Sequence, residues 1–406
     1  MTRDADDIKR ELEGYYPHLS EDDIRRKINA SDNAFLYFRA FVPWFHGRLR
    51  FMESGFSDAI RALFGFQGWC VGDPHLQNFG VIRSGRCDGR FTGLFTANDP
   101  DDGGPGPLAA DVVRYLSGIL IHLPDERLDL VIKAYLNGLI GGNRPEELAD
   151  LEQSFFERIG NTEGEADKVD FDGSRFKLKD LDGNRFDTLN VKNKHRRQVK
   201  EAIAGAIGDQ FKVCSRSLFR FRKKGGGSGG LIQFRVLLIP KGVACSKTNH
   251  RARQAVKVID LKPITRPGIC GWNSPVPPGW PGRSPAGGQV CGTEPGLMVQ
   301  RVERTMELER SIDVHGWFPR TLVHPRLGSC LVRIRCNQEA GVSMDELNQD
   351  LMTLEADVLG RLHAKSLTAG QAGDLRHKFE VAKEDLVNLA DDLARLVQSD
   401  FNTLRC

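Results

Sequence analysis

The chain lacks any apolar run approaching the roughly 20 residues needed to cross a bilayer, so no membrane span is expected. It has little net charge, +3 with a pI of about 8.3, which is too mild to imply nucleic acid as a partner. Its nine cysteines include no Cys-x-x-Cys pair. An odd, scattered set without a secretory segment predicts free thiols in a reducing cytoplasm. Cys270 and Cys291 flank a Pro/Gly-rich loop and are the candidates for a disulfide or a metal site. The opening MTRDADDIKRELEG is acidic and reads as helix, not as a signal peptide. The Asp170, Asp172, Asp180 and Asp182 stretch has no twelve-residue loop closed by a Glu, so these acids read as turns and not as a calcium site. What remains is a chain of 406 residues, enough for one large or two to three ordinary domains with ample core.

The stretch with the most chemistry is CVGDPHLQNFG, residues 70–80. Asp73 and Asn78 stand five positions apart in a short loop, and an apolar run from Phe79 to Ile82 follows. A second strand-like run, Phe91 to Ala97, ends in Asn98-Asp99-Pro100-Asp101-Asp102. A loop Asp, a loop Asn and an Asp at a strand end recur in phosphoryl transfer. The first Asp takes or orients the proton of the attacking hydroxyl, and the other two hold magnesium against the phosphates. Asp and Asn also favour turns because their side chains bond nearby backbone. The spacing and the second acidic cluster one hairpin later favour the site. For the metal, Asp99 is the first choice and Asp101 the second.

Residues 1–65 read mostly as helix. Ser20-Glu21-Asp22-Asp23 is a helix start with acids in its first turn. Phe35, Phe38, Val42 and Phe45 recur at helical spacing as core, and Pro43 is expected to kink or end that helix. Arg39 lies among them, either reaching a phosphate or structurally paired. Helices are expected over Leu108 to His122, Asp125 to Leu139, and from Asn143-Arg144-Pro145 to about Ile159. Asp111 sits in the first turn of the first of these, where it suits the helix dipole. The basic helix Lys192 to Lys200 has no interleaved aromatics and reads as a solvated face, so nucleic acid is not expected as a partner.

A second landmark follows. A strand-like run from Leu218 to Lys224 feeds Gly225, Gly226, Gly227, Ser228, Gly229 and Gly230, and a second strand, Leu231 to Ile239, leaves them. Strand, glycine turn, strand is the layout of a phosphate-covering loop, where bare backbone N–H groups approach a nucleotide. It is not a Walker A loop, since no Gly-Lys-Ser/Thr enters a helix. A third strand, Ala255 to Lys262, alternates, with Lys262 on one face and Lys257 on the other. A helix rich in Arg and Glu spans Leu297 to Ile312, and helices close the chain after residue 340.

The 70–80 loop is similar to the catalytic loop of aminoglycoside and choline phosphotransferases, HGDxHxxN. The whole chain more closely resembles a bacterial family of unknown function, the DUF2252 type, which is grouped with protein-kinase-like folds. That family reads roughly cGDxHxxNFG, NDFDE and GPxxWDxxR; here the segments are CVGDPHLQNFG, NDPDD and GPLAADVVR. The resemblance implies that Asp111 braces the catalytic loop. It points to Lys262, in IDLKPI, as the phosphate anchor with Lys257 in reserve, and to a helical Glu as its partner: Glu303, with Glu307 as the alternative. Gly360 to Lys365 resembles a LARAHARS run, in which His363 reads as structural.

The implied fold is α+β, a protein-kinase-like pair of lobes with a small antiparallel sheet and a large helical part. The parts come in circularly permuted order, because the catalytic loop precedes the glycine loop. Residues 1–160 would carry the first part of the helical lobe, 161–340 the β-rich lobe, and 341–406 the remaining helices. The implied function is an ATP- and Mg2+-dependent phosphotransferase acting on a hydroxyl of a small molecule or a protein, with Asp73 as base and Asn78 and Asp99 as ligands. Val71, Pro100 and Ala110 depart from the family pattern. Those at Val71 and Pro100 motivate an alternative, a pseudokinase or nucleotide-binding scaffold, and a nucleotidyl transferase with the nucleotide bound in reverse is a further one.

Overall fold

A computed structural model describes residues 3–17, 19–87, 90–124, 126–160, 169–171, 176–178, 211–222, 232–241, 257–263, 267–272, 317–318, 330–334 and 339–405. Elements are numbered in chain order among these.

The N-terminal third is helical because caps and apolar spacing agree. Helix α1 (Ala5–Tyr15) starts at Asp4, whose carboxylate accepts from the Asp7 N–H, and buries Ile8 and Leu12. Helix α2 (Glu21–Asn29) starts at Ser20, whose hydroxyl accepts from Asp23 N, and carries three acids in its first turn. Asn33 caps α3 (Ala34–Ala40) in the same way. Pro43 does more than kink the next stretch. The helix stops at Phe41, and a new one, α4 (Val42–Phe51), begins with Pro43 in its first turn, where no N–H is missed. Tyr37, Phe38, Phe41, Trp44 and Phe45 are sealed in the core around this break. Each such aromatic contributes on the order of 2–3 kcal/mol by leaving water. Ser57 caps α5 (Asp58–Phe64).

Four strands then frame two loops. Strand β1 (Gln67–Cys70) pairs antiparallel with β4 (Gly104–Pro107), Cys70 opposite Gly104. Between them, β2 (Phe79–Cys87) pairs antiparallel with β3 (Arg90–Ala97), Phe79 opposite Ala97. Helices α6 (Leu108–His122), α7 (Asp129–Leu139) and α8 (Glu146–Gly160) follow. The second was expected from residue 125. It begins at 129, with Leu128 at its cap in helical backbone and no capping side chain.

The middle of the chain supplies β5 (Val169–Phe171) and β6 (Phe176–Leu178), then β7 (Phe211–Arg222), β8 (Ile232–Pro240) and β9 (Lys257–Pro263). These last three join β10 (Trp317–Phe318) and β11 (Cys330–Ile334) in one antiparallel sheet, ordered β10-β11-β9-β8-β7. The pairing of β7 with β8 ends at Arg222 opposite Ile232, on either side of the expected glycine turn. A short 3-10 turn, Gly268–Trp272, packs near α4, where Gly268 abuts His46 and the backbone of Val42. Strand β12 (Glu339–Gly341) adds to the edge of β2.

Helix α9 (Gln349–Ala364) and the long α10 (Ala369–Arg405) complete the helical body. The α10 residues Leu375, Phe379, Ala382, Leu386, Ala390, Leu393 and Val397 recur at three- and four-residue spacing and are all buried. The described chain is thus mostly helical, with small antiparallel sheets beside a large helical body. No helix among the described residues is long and apolar enough to cross a membrane. The expectation of free thiols holds for the buried Cys70 and fails for Cys270, which is disulfide-bonded. Sequence spacing does not show which thiols the fold brings together.

Candidate functional site

The loop between β1 and β2 turns on Gly72. Its φ is +85°, and a Cβ there would stand 1.9 Å from the carbonyl oxygen of Asp102. Only glycine lets the loop lie directly against the acidic stretch after β3. Two acid-bearing segments, about thirty positions apart, therefore touch.

Two side chains, Asp111 and His46, bond the loop backbone at Val71 and Gly72. Asp111, in the first turn of α6, accepts from Val71 N at 2.6 Å through Oδ2 and from Gly72 N at 3.0 Å through Oδ1. Its Oδ2 also accepts from His363 Nε2 at 3.1 Å, and His363 Nδ1 lies 3.0 Å from the Tyr135 hydroxyl. Because Asp111 only accepts, Nε2 carries the ring proton, and Nδ1 accepts from Tyr135. His363 is thus a brace, as expected. From the other side, His46 Nε2 donates to the Gly72 carbonyl at 2.7 Å, and Trp272 Nε1 reaches His46 Nδ1 at 3.5 Å. Burial, with the Arg114 charge beside it, pushes His46 down to about 4, so this ring stays neutral.

Arg114 lies three residues after Asp111, on the same face of α6. Its Nε and Nη2 both donate to Asp73 Oδ1, at 2.8 and 2.5 Å. The guanidinium is fully buried and stacks over Phe38, 4.0 Å from the ring centroid. Burial pushes the Asp73 carboxyl up to about 7; Arg114 pulls it down, and Asp102 adds to the rise.

Asn78 donates through Nδ2 to the Asp73 carbonyl at 2.9 Å, which leaves Oδ1 as its acceptor. Its own carbonyl accepts from Asn98 N at 3.0 Å, so Asn78 and the Asn98-Asp99 pair are joined at the base of the β2–β3 hairpin. Asp99 is half-buried; Asp101, in the short turn Pro100–Asp102, is buried. Among the described residues no group of three or more His, Cys, Asp and Glu is arranged to hold a metal ion. Asp73, Asn78, Asp99 and Asp101 are thus carried on one loop and the end of the hairpin it leads into.

Gly225, Gly226, Gly227, Ser228, Gly229 and Glu303 lie outside the described residues. Lys262 is in β9, opposite Leu331 of β11, and its side chain is not described. Two residues carry roles that sequence reasoning did not assign. Arg114 ends the quoted GPLAADVVR segment, and that position was its only signal. His46 had none, since nothing in VPWFHGRLRF sets it apart from the neighbouring Arg48 and Arg50.

Comparison with curated proteins finds no match, and comparison with solved structures finds none. Residues 25–131, which include Asp73, Asn78, Asp99, Asp101, Asp111 and Arg114, match the model of a family described as an uncharacterized protein conserved in bacteria, DUF2252.

Proposed function

We propose that residues 70–115 are the floor of an ATP- and Mg2+-binding site on a circularly permuted, kinase-like frame, and that the protein is a nucleotide-binding scaffold with weak or no phosphotransfer. The observation that carries this reading is the Arg114 clamp: a sealed guanidinium puts two charge-assisted hydrogen bonds on one oxygen of Asp73. A general base needs its lone pairs facing the substrate, and half of this carboxylate is committed inward. Asn78 and Asp99, with Asp101 as alternative, would hold the ion. One amide and one carboxylate oxygen suit magnesium, which takes few protein ligands and completes its shell with water and phosphate. The ion, when bound, supplies charge neutralisation at the phosphates. The chain's own part is to hold the Asn78 oxygen outward, through the bond from Nδ2 to the Asp73 carbonyl.

Lys262 would anchor the phosphates, Glu303 would pair with it, and Gly225 to Gly229 with Ser228 would cover them. Chain length favours this. Lys262 and Gly268 are six positions apart, a span of about 22 Å at most. Gly268 abuts His46, which bonds the Gly72 carbonyl.

A thermal shift with ATP and magnesium, against ATP with chelator, tests the reading. A magnesium-dependent rise that is lost in Asn78→Ala, without label transfer from γ-labelled ATP over a broad acceptor panel, is expected. No shift at millimolar Mg-ATP would remove the nucleotide site. A second reading, active phosphotransfer, is favoured by Asp73 Oδ2, which Arg114 leaves unused, and by a carboxyl pushed to about 7, near the optimum for a base at neutral pH. Transfer of the γ label that disappears in Asp73→Ala would establish it, and transfer of an α label would point to nucleotidyl transfer.

A further inference from the structure

The mild net charge of the whole chain conceals where its charge lies. The five strands of the β10-β11-β9-β8-β7 sheet carry eight Lys and Arg against one acid, Asp260, a net +7 where the chain as a whole has +3. The rest of the chain is therefore acidic on balance, and the basic character is gathered on one sheet. The distribution of charge, more than its total, sets which polyanions a protein attracts.

Strand register sorts these residues between the two faces. Residues opposite one another across a ladder share a face, and so do residues two apart on one strand. Leu238, which is buried, shares its face with Val236, Phe234, Ile259, Leu261 and Val332, so that face is the packed one. The other face carries one continuous row across all five strands. Phe219 is opposite Arg235, Arg235 opposite Asp260, Asp260 opposite Arg333, and Arg333 opposite Trp317. Phe221 and Lys262 stand two positions along the same face from Phe219 and Asp260.

One aspartate between two arginine positions can neutralise only one of them. Neighbouring strands lie about 4.8 Å apart, so the two arginine positions are about 10 Å apart and the aromatic positions close a row of about 19 Å. A cross-strand ion ladder on a solvated face accounts for one Arg-Asp pair. It accounts neither for the second arginine nor for aromatic residues at both ends of a row that is not on the packed face. Cations for phosphates, set among flat rings for bases, suit a single-stranded nucleic acid, whose bases are free to stack.

We infer that this face of the sheet binds single-stranded nucleic acid, with Arg235 and Arg333 taking phosphates and Phe219 and Trp317 stacking bases. The inference concerns a polymer and does not rest on the nucleotide reading.

The test is fluorescence anisotropy of the full chain with a labelled oligouridylate and a labelled oligothymidylate of about a dozen residues. A duplex of the same length and phosphatidylserine vesicles are the controls. Saturable binding of a single strand, with a dissociation constant on the order of micromolar at low salt and falling steeply as salt rises, is expected. The better bound of the two strands distinguishes RNA from DNA. Arg235→Gln with Arg333→Gln should weaken binding at least tenfold and reduce the salt slope by about 1.4, two phosphate contacts. Phe219→Ala and Trp317→Ala should each weaken it about tenfold and leave the slope unchanged. Should the paired arginine variant not fold, the two aromatic variants decide. Absence of binding, binding as tight to the duplex or to the vesicles, or undiminished affinity in the folded arginine or aromatic variants overturns the surface. Lys262 is left unaltered throughout, so a Mg-ATP shift that persists when no oligonucleotide binds leaves the nucleotide reading standing.

Discussion

Arg114 and Asp73 are both withdrawn from water, and the acid is the one that titrates in reach of neutral pH. Its folded-state value is pushed to about 7 from an ordinary 3.8 by burial, against the pull of Arg114. The folded chain therefore keeps a proton that the unfolded chain releases, and the stability this gives is present below pH 4 and lost as pH rises to 7. Relative to Asp73→Asn, the wild type should lose stability over that window, by about 4 kcal/mol at the most. Urea unfolding of both proteins from pH 4 to 8 checks this, and a constant difference would contradict it. Glu355 offers a parallel case. The Tyr115 hydroxyl lies 2.9 Å from both the Met352 carbonyl and Glu355 Oε2. The hydroxyl donates to both acceptors, its one hydrogen shared between them. Burial pushes Glu355 well above the usual carboxylate range, the bond to Tyr115 opposing. Glu355→Gln keeps an acceptor oxygen for Tyr115 and removes the proton linkage. It should match the wild type near pH 4.5 and melt higher at pH 8. At this scale the sequence was legible where partners are local, as with Asp73 and Asn78 five apart. It was not legible for Arg114 and His46, whose partners stand 41 and 26 residues away.

At the scale of elements, the loop is held by helices that meet without side chains between them. A Cβ on Gly138 of α7 would stand 2.1 Å from the carbonyl oxygen of Asp357 on α9, and one on Gly360 of α9 would stand 2.1 Å from that of Tyr135 on α7. The two glycines let the backbones touch, and this contact sets Tyr135 and His363 in line behind Asp111. Gly138→Ala should therefore force the helices apart and cost about 1–3 kcal/mol, although alanine is the better helix former. Thermal unfolding of the variant measures the loss. A neutral or raised melting temperature would show that the helices can yield. Neither glycine is distinguished by its neighbours in sequence, because the reason for it lies on another helix. The helix starts, by contrast, were readable at Ser20, and Pro43 marked the break between α3 and α4, because capping and proline act within one turn. The start of α7 was misread at 125 because Leu128 caps it without a side-chain signal.

For the whole molecule, the proposed permutation makes a demand on the chain ends: they must lie close enough to be joined. Arg3 donates to Asp400 of α10 at 2.6 Å, and Arg405 reaches the Ser31 carbonyl beside α2. Both ends therefore sit on the helical body, near one another. A flexible Gly/Ser linker of about ten residues has a mean span on the order of 15–20 Å, enough to connect Arg405 to Arg3. Opening the joined chain between Gln210 and Phe211 would put β7, the glycine run, β8 and β9 ahead of the 70–80 loop, the order of parts in ordinary kinases. If the order of parts is a rearrangement of one frame, the recut chain should fold with a Tm within several degrees of the original and keep its Mg-ATP shift. Circular dichroism melting and the same nucleotide titration read both quantities. Domains tolerate new ends where little backbone pairing is broken, and a cut just before β7 leaves its whole ladder to β8 intact. Loss of folding despite that intact ladder, with the linker shown to be long enough by a joined chain left uncut, would mean that the connection entering β7 is itself part of the structure, and that the chain is not a reordered version of the kinase arrangement.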